Sequence, residues 1–350
     1  MSVTSKQEKQ LTIAVVGATG HTGRFVVAEL LRRGITPIAV GRNAEALKAA
    51  DFSGREVERR VASVDDAASL DRALRGAGAV INCAGPFLDT ADAVASAAMR
   101  APIHYLDVTA EQASARATLE KFDAAAREAG VAVVPAMGFY GGFADLLVTA
   151  VMGGSDRVQA IDSANTIKIM IGLDSWHPTR GTRETGAKNT GTRFVVSNGQ
   201  LVPVQSPPNE KGWKFADPIG HQFVKEVALS EIVLISRHVK TIELHNYISA
   251  NALRDIHDEA TPAPKAADDS GRSAQQFIVE VVVQRAGETR SITARGRDIY
   301  AFSAPLVCEA AERLLRGKFR EAGAHAPGEI FDAREFLSAL PLERDTPQYS

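Results

Sequence analysis

The residues best suited to chemistry stand near the start of the chain. Gly17-Ala18-Thr19-Gly20-His21-Thr22-Gly23 joins the β-branched run TIAVV to the helical segment HTGRFVVAELLRRG. In that position Gly17 permits a tight turn, Gly20 lets a pyrophosphate approach the backbone with no Cβ in the way, and Gly23 lets the helix close on the strand. The free N–H groups of the helix start, with the partial positive charge of its dipole, would face phosphate. Thr19, His21 and Thr22 therefore join the three glycines as the expected cradle of a dinucleotide.

The end of the next strand discriminates between the two nicotinamide dinucleotides. A carboxylate there would accept hydrogen bonds from a ribose 2′-hydroxyl and repel a 2′-phosphate. This chain has Arg42-Asn43 instead, and the forked guanidinium of Arg42 can pair with a phosphate, so NADP(H) is the expected cofactor. Asp65, after the third strand, is placed to meet the adenine. Cys83-Ala84-Gly85-Pro86-Phe87, after the fourth, would line the path to the nicotinamide. Cys83 reads as a small packing residue rather than a nucleophile, because no histidine stands at a useful position.

Other chemistries lack their minimal residues. None of the tyrosines at 105, 140, 247, 300 and 349 has a lysine four positions later, and neither H-E-x-x-H nor G-x-S-x-G occurs. The eight histidines are scattered and form no metal-ligand spacing, so no metal is expected. Two candidates remain for a proton donor: His177, which titrates near neutral pH, and Tyr140, at the carboxyl edge of the sixth strand. Thr109 and Glu111, after the fifth strand, either face a ligand at that edge or cap the following helix. The stretch from Trp176 to Asn189, expected to face the substrate over the nicotinamide, interleaves Arg180, Arg183 and Lys188 with threonines and glycines. Trp176, Arg180 and Arg183 are its expected substrate contacts, with a plain solvated loop as the alternative.

Positioning these residues requires a particular order of elements. From Leu11 to about Val151, short apolar runs alternate with Ala/Leu/Arg segments, and six strands joined by helices imply a parallel sheet covered on both faces. The segment 111–130 reads as a helix closed by Gly130. After Val151 longer alternating runs, including AIDSANTIKIMIG and EIVLISRHVKTIELHNYI, predict a mixed or antiparallel sheet, with a hairpin turning at Ser197-Asn198-Gly199. Residues 257–273 read as a mobile surface loop without chemistry. Helical texture returns in SAPLVCEAAERLLRG, with Ser303 as the expected N-cap and Pro305 in the first turn, and in DAREFLSAL after Asp332.

The chain has 350 residues, enough for two domains, and a formal net charge of −2 with no basic stripe, so a nucleic-acid partner is not expected. Two cysteines without metal or disulfide spacing point to a reducing, cytoplasmic compartment. MSVTSKQEKQ lacks the apolar core of a signal peptide, and no apolar run is long enough to span a membrane.

The runs VGATGHTG, VINCAGPF, HYLDVTAE, VVPAMGFYGGFADLL and GRDIYAFSAPLVCEAAERLL together resemble the saccharopine dehydrogenase-like NAD(P)-binding oxidoreductases, related in the first domain to trans-acting enoyl reductases. The resemblance implies a doubly wound Rossmann domain, residues 1–145 and 304–345, interrupted by an α/β substrate-binding and dimerisation domain, residues 146–303. It implies a homodimer that transfers a hydride from NADPH to a C=N, C=C or C=O bond of a small metabolite. A non-catalytic NADP-binding sensor or an NADP-dependent isomerase with no net redox change stays open beside it.

Overall fold

Buried, β-branched runs become strands wherever two helices can cover both of their faces. In the computed structural model, which describes residues 11–52, 54–153, 164–344 and 348–349, the first half of the chain follows this rule except at one exposed edge strand, residues 58–61. Its elements are β1 (Thr12–Val16), α1 (His21–Arg32), β2 (Thr36–Gly41), α2 (Ala44–Ala49), β3 (Glu58–Val61), α3 (Ala67–Ala73), β4 (Ala79–Asn82), α4 (Phe87–Arg100), β5 (His104–Asp107), α5 (Gln112–Ala129), β6 (Ala132–Val134) and α6 (Gly142–Val151). Helix α5 ends as expected at Gly130, whose φ of 68° places it in the left-handed region.

The second half contains β7 (Ala164–Leu173), α7 (Arg180–Lys188), β8 (Phe194–Ser197), β9 (Gln200–Pro203), β10 (Glu210–Lys214), β11 (His221–Glu226), α8 (Ser230–Ser236), β12 (Thr241–Ser249), α9 (Ala250–His257), β13 (Gln276–Arg285) and β14 (Glu288–Arg297). The chain then returns through α10 (Ile299–Leu315), β15 (Gly323–Ala324), α11 (Pro327–Ile330), α12 (Ala333–Ser338), β16 (Glu343–Arg344) and β17 (Gln348–Tyr349).

The first sheet is parallel, in the order β15-β6-β5-β4-β1-β2-β3. Six strands were expected; the seventh is β15, which the returning chain adds beside β6. Strand order reverses between β1 and β4, with Val16 opposite Asn82, so the turns leaving these two strands lie side by side at the carboxyl edge. The second sheet is mixed: β12 pairs parallel to β7, while β13 and β14 form a long antiparallel hairpin beside them. The expected hairpin at Ser197-Asn198-Gly199 joins β8 to β9, with Asn198 and Gly199 both at positive φ.

Two local readings are corrected. Asp298, not Ser303, caps the returning helix, because its carboxylate accepts the N–H groups of Tyr300 and Ala301 at 3.1 and 3.0 Å. Ser303 lies inside α10 and accepts the Phe139 N–H at 3.0 Å, and Pro305 is interior rather than in the first turn. The run EIVLISRHVKTIELHNYI is not one strand: its first part is α8, buried all round, a case in which apolar periodicity cannot separate helix from strand. Residues 1–10, and the first residues of the expected strand AIDSANTIKIMIG, lie outside the described residues.

The returning helix is tied to the first domain by charge as well as packing. Arg33, at the end of α1, pairs with Glu29 on its own helix and with Glu309 and Glu312 of α10 at 2.6–3.0 Å, all half-buried or better. A second buried tie joins α6, the turn after α8, and α11. Asp145 is fully buried, its Oδ1 is 2.6 Å from His238 Nε2, and its Oδ2 accepts the Gly328 N–H at 2.6 Å.

Burial opposes charge on His238, yet the Asp145 carboxylate beside it raises its pKa above the ordinary histidine value. A raised folded-state pKa gives stability that is complete below about pH 6.5 and is lost as pH rises through the folded value. Asp145→Asn is therefore expected to cost about 3 kcal/mol and to remove the wild type's decline in stability above neutral pH. Urea denaturation at pH 6 and pH 8 checks both. A wild type equally stable at the two pH values would contradict the tie.

Candidate active site

The glycine turn owes its shape to contact with its neighbour. Gly17 has a φ of 80°, and a Cβ there would lie 2.9 Å from the backbone of Cys83 and Ala84. A Cβ on Gly23 would lie 2.2 Å from the Gly17 carbonyl oxygen, so its absence lets α1 start directly against the turn. Gly20 differs from both: an added Cβ would meet only the Gly17 oxygen, at 3.1 Å. Gly20 is also the N-cap of α1, and no side chain caps that helix. The first-turn N–H groups, with Thr19, His21 and Thr22 around them, are left for an anion. These features fit a pyrophosphate.

At the end of β2, Arg42 is exposed, and Asn43 is the N-cap of α2, accepting the Ala46 N–H at 2.9 Å. Asp65 is exposed and accepts the Ser63 hydroxyl at 3.3 Å. The turn after β4 is braced from three sides. Asn82 accepts the Ala84 N–H at 3.0 Å, the Thr90 hydroxyl donates to the Ala84 carbonyl at 2.6 Å, and the Gly85–Pro86 bond is cis. Cys83 donates its N–H to Val16 at 2.8 Å, and burial pushes its thiol well above the ordinary range, which suits packing and not nucleophilic attack. Glu111 completes the brace: its two carboxylate oxygens accept the N–H groups of Phe87 and Leu88 at 2.7 and 3.0 Å. Glu111 thus caps α4, not the helix it precedes. Thr109 is also fully buried, and its hydroxyl accepts the Glu111 N–H at 3.0 Å.

Across this edge lies an aromatic chain. His21 meets Tyr300 edge to face at 5.4 Å between ring centroids. The Tyr300 hydroxyl accepts the Trp176 indole N–H at 3.0 Å and stands 2.9 Å from the Thr182 hydroxyl. Trp176 in turn stacks on Tyr140 at 5.2 Å. The His21 Nε2 and the Tyr140 hydroxyl are buried without hydrogen-bond partners. Burial lowers the pKa of His21 and raises that of the Tyr140 phenol well above its ordinary value.

The stretch from Trp176 to Asn189 contains helix α7, capped by the Thr179 side chain, and it lies over the turn after β4. A Cβ on Gly85 would be 3.1 Å from the Thr185 hydroxyl, and Lys188 pairs with Asp89 of α4. The arginines of α7 point elsewhere. Arg180 is 87% exposed and pairs with Glu184, while Arg183 donates to the carbonyls of Asp258 and Thr261 at 3.1 and 2.8 Å. His177 Nδ1 lies 3.2 Å from the Pro262 carbonyl. The loop 257–273, read from sequence as free of chemistry, is therefore the backing on which α7 rests.

The structure thus gathers Gly17, Gly20, His21, Cys83–Phe87, Tyr140 and Trp176 at one edge. It turns Arg180 to solvent and encloses Thr109 and Glu111 in backbone hydrogen bonds. Tyr300 joins the site although it was not among the expected contacts. For Tyr300 a signal existed: a polar aromatic at the start of the helix that returns to the first domain. Among the described residues no group of three or more His, Cys, Asp or Glu is arranged to hold a metal, and no helix is long and apolar enough to cross a membrane.

The three glycines separate binding from folding. Gly20→Val is expected to leave the melting temperature unchanged but to abolish its rise on adding NADPH. Gly23→Ala should destabilise the protein by at least about 2 kcal/mol through overpacking. Thermal melts with and without NADPH read both effects. A Gly20→Val variant still stabilised like the wild type would place the phosphates elsewhere.

Comparison with known proteins agrees with this geometry. Residues 13–134 match the saccharopine dehydrogenase NADP binding domain family. The chain is 32% identical over 189 residues to the lipid droplet localized protein of Caenorhabditis elegans, covering 49% of this chain and 43% of that one. It is 29% identical over 234 residues to the saccharopine dehydrogenase-like oxidoreductase of Bos taurus, covering 59% of this chain and 54% of the other. The matched part spans about half the length of these relatives. Apo saccharopine dehydrogenase (L-Glu forming) from Saccharomyces cerevisiae superposes with a TM-score of 0.64 over 96% of this chain and 100% of its own, at 14% identity, which shows a shared fold. With its glycine turn, strand order and matched segment, the chain resembles the saccharopine dehydrogenase NADP binding domain over residues 13–134 and shares the saccharopine dehydrogenase fold.

Proposed function

We propose that the chain is an NADPH-dependent oxidoreductase that reduces a C=N, C=C or C=O bond of a small metabolite held between the two domains. The observation that carries this reading is the meeting, at one sheet edge, of an uncapped glycine turn and the chain Tyr300–Trp176–Tyr140. The backbone from Gly17 to Gly23 would hold the pyrophosphate, and Arg42, exposed at the end of β2, the 2′-phosphate. The turn Cys83–Phe87 would border the nicotinamide, which when bound supplies a hydride.

The remaining work falls to the chain's own side chains. Trp176 and Tyr140 offer an apolar wall that excludes water, and the unpartnered Tyr140 hydroxyl is the group free to orient an acceptor atom. His177, the other candidate donor, sits against the Pro262 carbonyl instead. Thr182 and Thr185 take the place on α7 that the composition suggested for Arg180 and Arg183, because they face the first domain. Two free cysteines, Cys308 buried and Cys83 half-buried, support a reducing, cytoplasmic setting. A homodimer is the proposed assembly, to be read from the mass in solution.

Fluorescence titration tests the cofactor assignment. NADPH is expected to bind more tightly than NADH, and Arg42→Asp to shift the ratio of the two affinities by roughly ten- to a hundredfold toward NADH. Equal affinities in the wild type, or an indifferent variant, would remove Arg42 from the site. NADPH oxidation measured over a panel of cyclic imines, enones and aldehydes tests the reaction. Stoichiometric NADPH binding with no oxidation across the panel would favour a sensor instead.

A further inference from the structure

Reduction needs a proton as well as a hydride, and one acidic group in the structure is left with an unused oxygen. Glu231, the second residue of α8, is fully buried. Its Oε1 accepts the side-chain N–H of Asn246, which also donates to the Val227 carbonyl at 2.9 Å. Its Oε2 has no partner, and among the described residues it is the one buried carboxylate oxygen in that condition. Ionised, it would be a buried charge with no cation beside it, favoured only by the backbone N–H groups of Glu231 itself and of Gly141; protonated, it is an O–H donor beside the likewise unpartnered side-chain oxygen of Asn246. The unpartnered Oε2 leaves one oxygen for a transient partner.

Its location connects it to the site. The start of α8 is pressed on the carboxyl edge of the first sheet, where the Ser230 hydroxyl lies 3.1 Å from the Thr109 carbonyl and 3.4 Å from that of Tyr140. The approach is close enough that a Cβ on Gly141 would stand 2.7 Å from that hydroxyl. Tyr140 carries a second unpartnered buried group of this joint and Asn246 Oδ1 a third, and the charge of Glu231 acts on the Tyr140 phenol.

We propose that Glu231, supplied by the second domain, is the residue that delivers the proton of the reduction, an inference that rests on the reductase reading above. The acceptor's double bond takes the hydride of NADPH at carbon, and its other atom takes the Glu231 proton. The carboxyl O–H bond breaks as the new X–H bond forms. The acceptor gains two electrons, NADPH becomes NADP+, and water returns a proton to the carboxylate.

The alternatives at this joint are poorer acids. Burial carries the Glu231 carboxyl up to about 7 against the pull of the backbone N–H groups of Glu231 and Gly141, whereas it drives the Tyr140 phenol well above its ordinary value. A donor should exchange its proton near the working pH, which the carboxyl alone can do. Among the described residues, the elements packed around Glu231, β8 with its uncharged side chains included, bring it no cation. The β6–α6 turn presents the Tyr140 phenol, α5 the neutral Gln112 and β12 the neutral Asn246. From α6 comes only Asp145, paired with His238 beyond the far end of α8, where Arg237 pairs with Glu329. Glu243 and His245 alternate to the other face of β12 and pair there with each other.

Infrared titration of the whole protein with 13C-labelled glutamate reads the proton directly and needs neither substrate nor cofactor. A protonated-carboxyl band is expected at pH 6, fading with a midpoint near 7 and missing from Glu231→Gln. With a panel compound that the wild type reduces, Glu231→Gln should keep its NADPH affinity and lose about a hundredfold or more in kcat. The wild-type rate should fall above pH 7 and the residual rate of the variant should not, while Glu231→Asp should recover part of the loss. A carboxyl that titrates at the ordinary value of about 4.3, or a Glu231→Gln variant with wild-type kcat and pH profile, overturns the proposal. A wild type that oxidises NADPH with no panel compound overturns the reductase reading, and the proton's destination with it; the infrared result still decides separately whether Glu231 holds a proton at neutral pH.

Discussion

Two buried carboxylates hold the carboxyl edge of the first sheet, and every later feature of the site depends on them. Asp107, at the end of β5, accepts the Tyr105 hydroxyl at 2.8 Å and the N–H groups of Thr109 and Ala136 at 3.0 and 2.8 Å. Glu111 accepts the first two N–H groups of α4. Together they fasten the turns after β4, β5 and β6 to one another. Burial raises the pKa of both, and the backbone N–H groups pull in the opposite direction. A donor left unpaired at such a place would cost about 1–3 kcal/mol, so the carboxylates fix geometry more firmly than their net stabilisation suggests.

This rigid edge gives the second domain a place to dock. Gln112, one residue after Glu111, is read from both ends by backbone: its amide oxygen accepts the Phe194 N–H at 2.8 Å, and its N–H groups donate to the carbonyls of Phe194 and Leu229 at 2.9 and 3.2 Å. Ser230 follows directly at the start of α8. The same few residues that set the turn after β4 therefore also set the position of β8 and α8. Preorganisation of this kind is what the proposed reduction would require, because displacement by a fraction of an ångström at reacting atoms is costly.

Helix α7 is held in a different way. It has no buried residue. It is kept over the β4 turn by polar contacts at its two sides: Thr182 and Lys188 toward the first domain, Arg183 toward the loop after α9. A helix attached mainly by exposed hydrogen bonds and ion pairs belongs to the low-stability end of a structure, where covers over ligands are generally found.

Much of this was legible in the sequence. The alternation of apolar runs and helical segments determined the parallel sheet, because parallel neighbours need long covered crossovers. The glycine spacing located the turn at the edge where strand order reverses. Gly130 and the Ser197-Asn198-Gly199 turn were readable because their requirement for positive φ is local. What only the tertiary structure decided is which polar side chains stay free once the chain is packed. Glu111 looked like a ligand contact and caps a helix 24 residues earlier. Arg180 looked like an anion clamp and faces solvent, whereas Glu231, in a run that read as a strand, is buried at the joint with an oxygen to spare. A local pattern reports the conformation a few residues prefer; whether a hydroxyl, amide or carboxylate is satisfied depends on partners brought from tens to hundreds of residues away, and only packing assigns them.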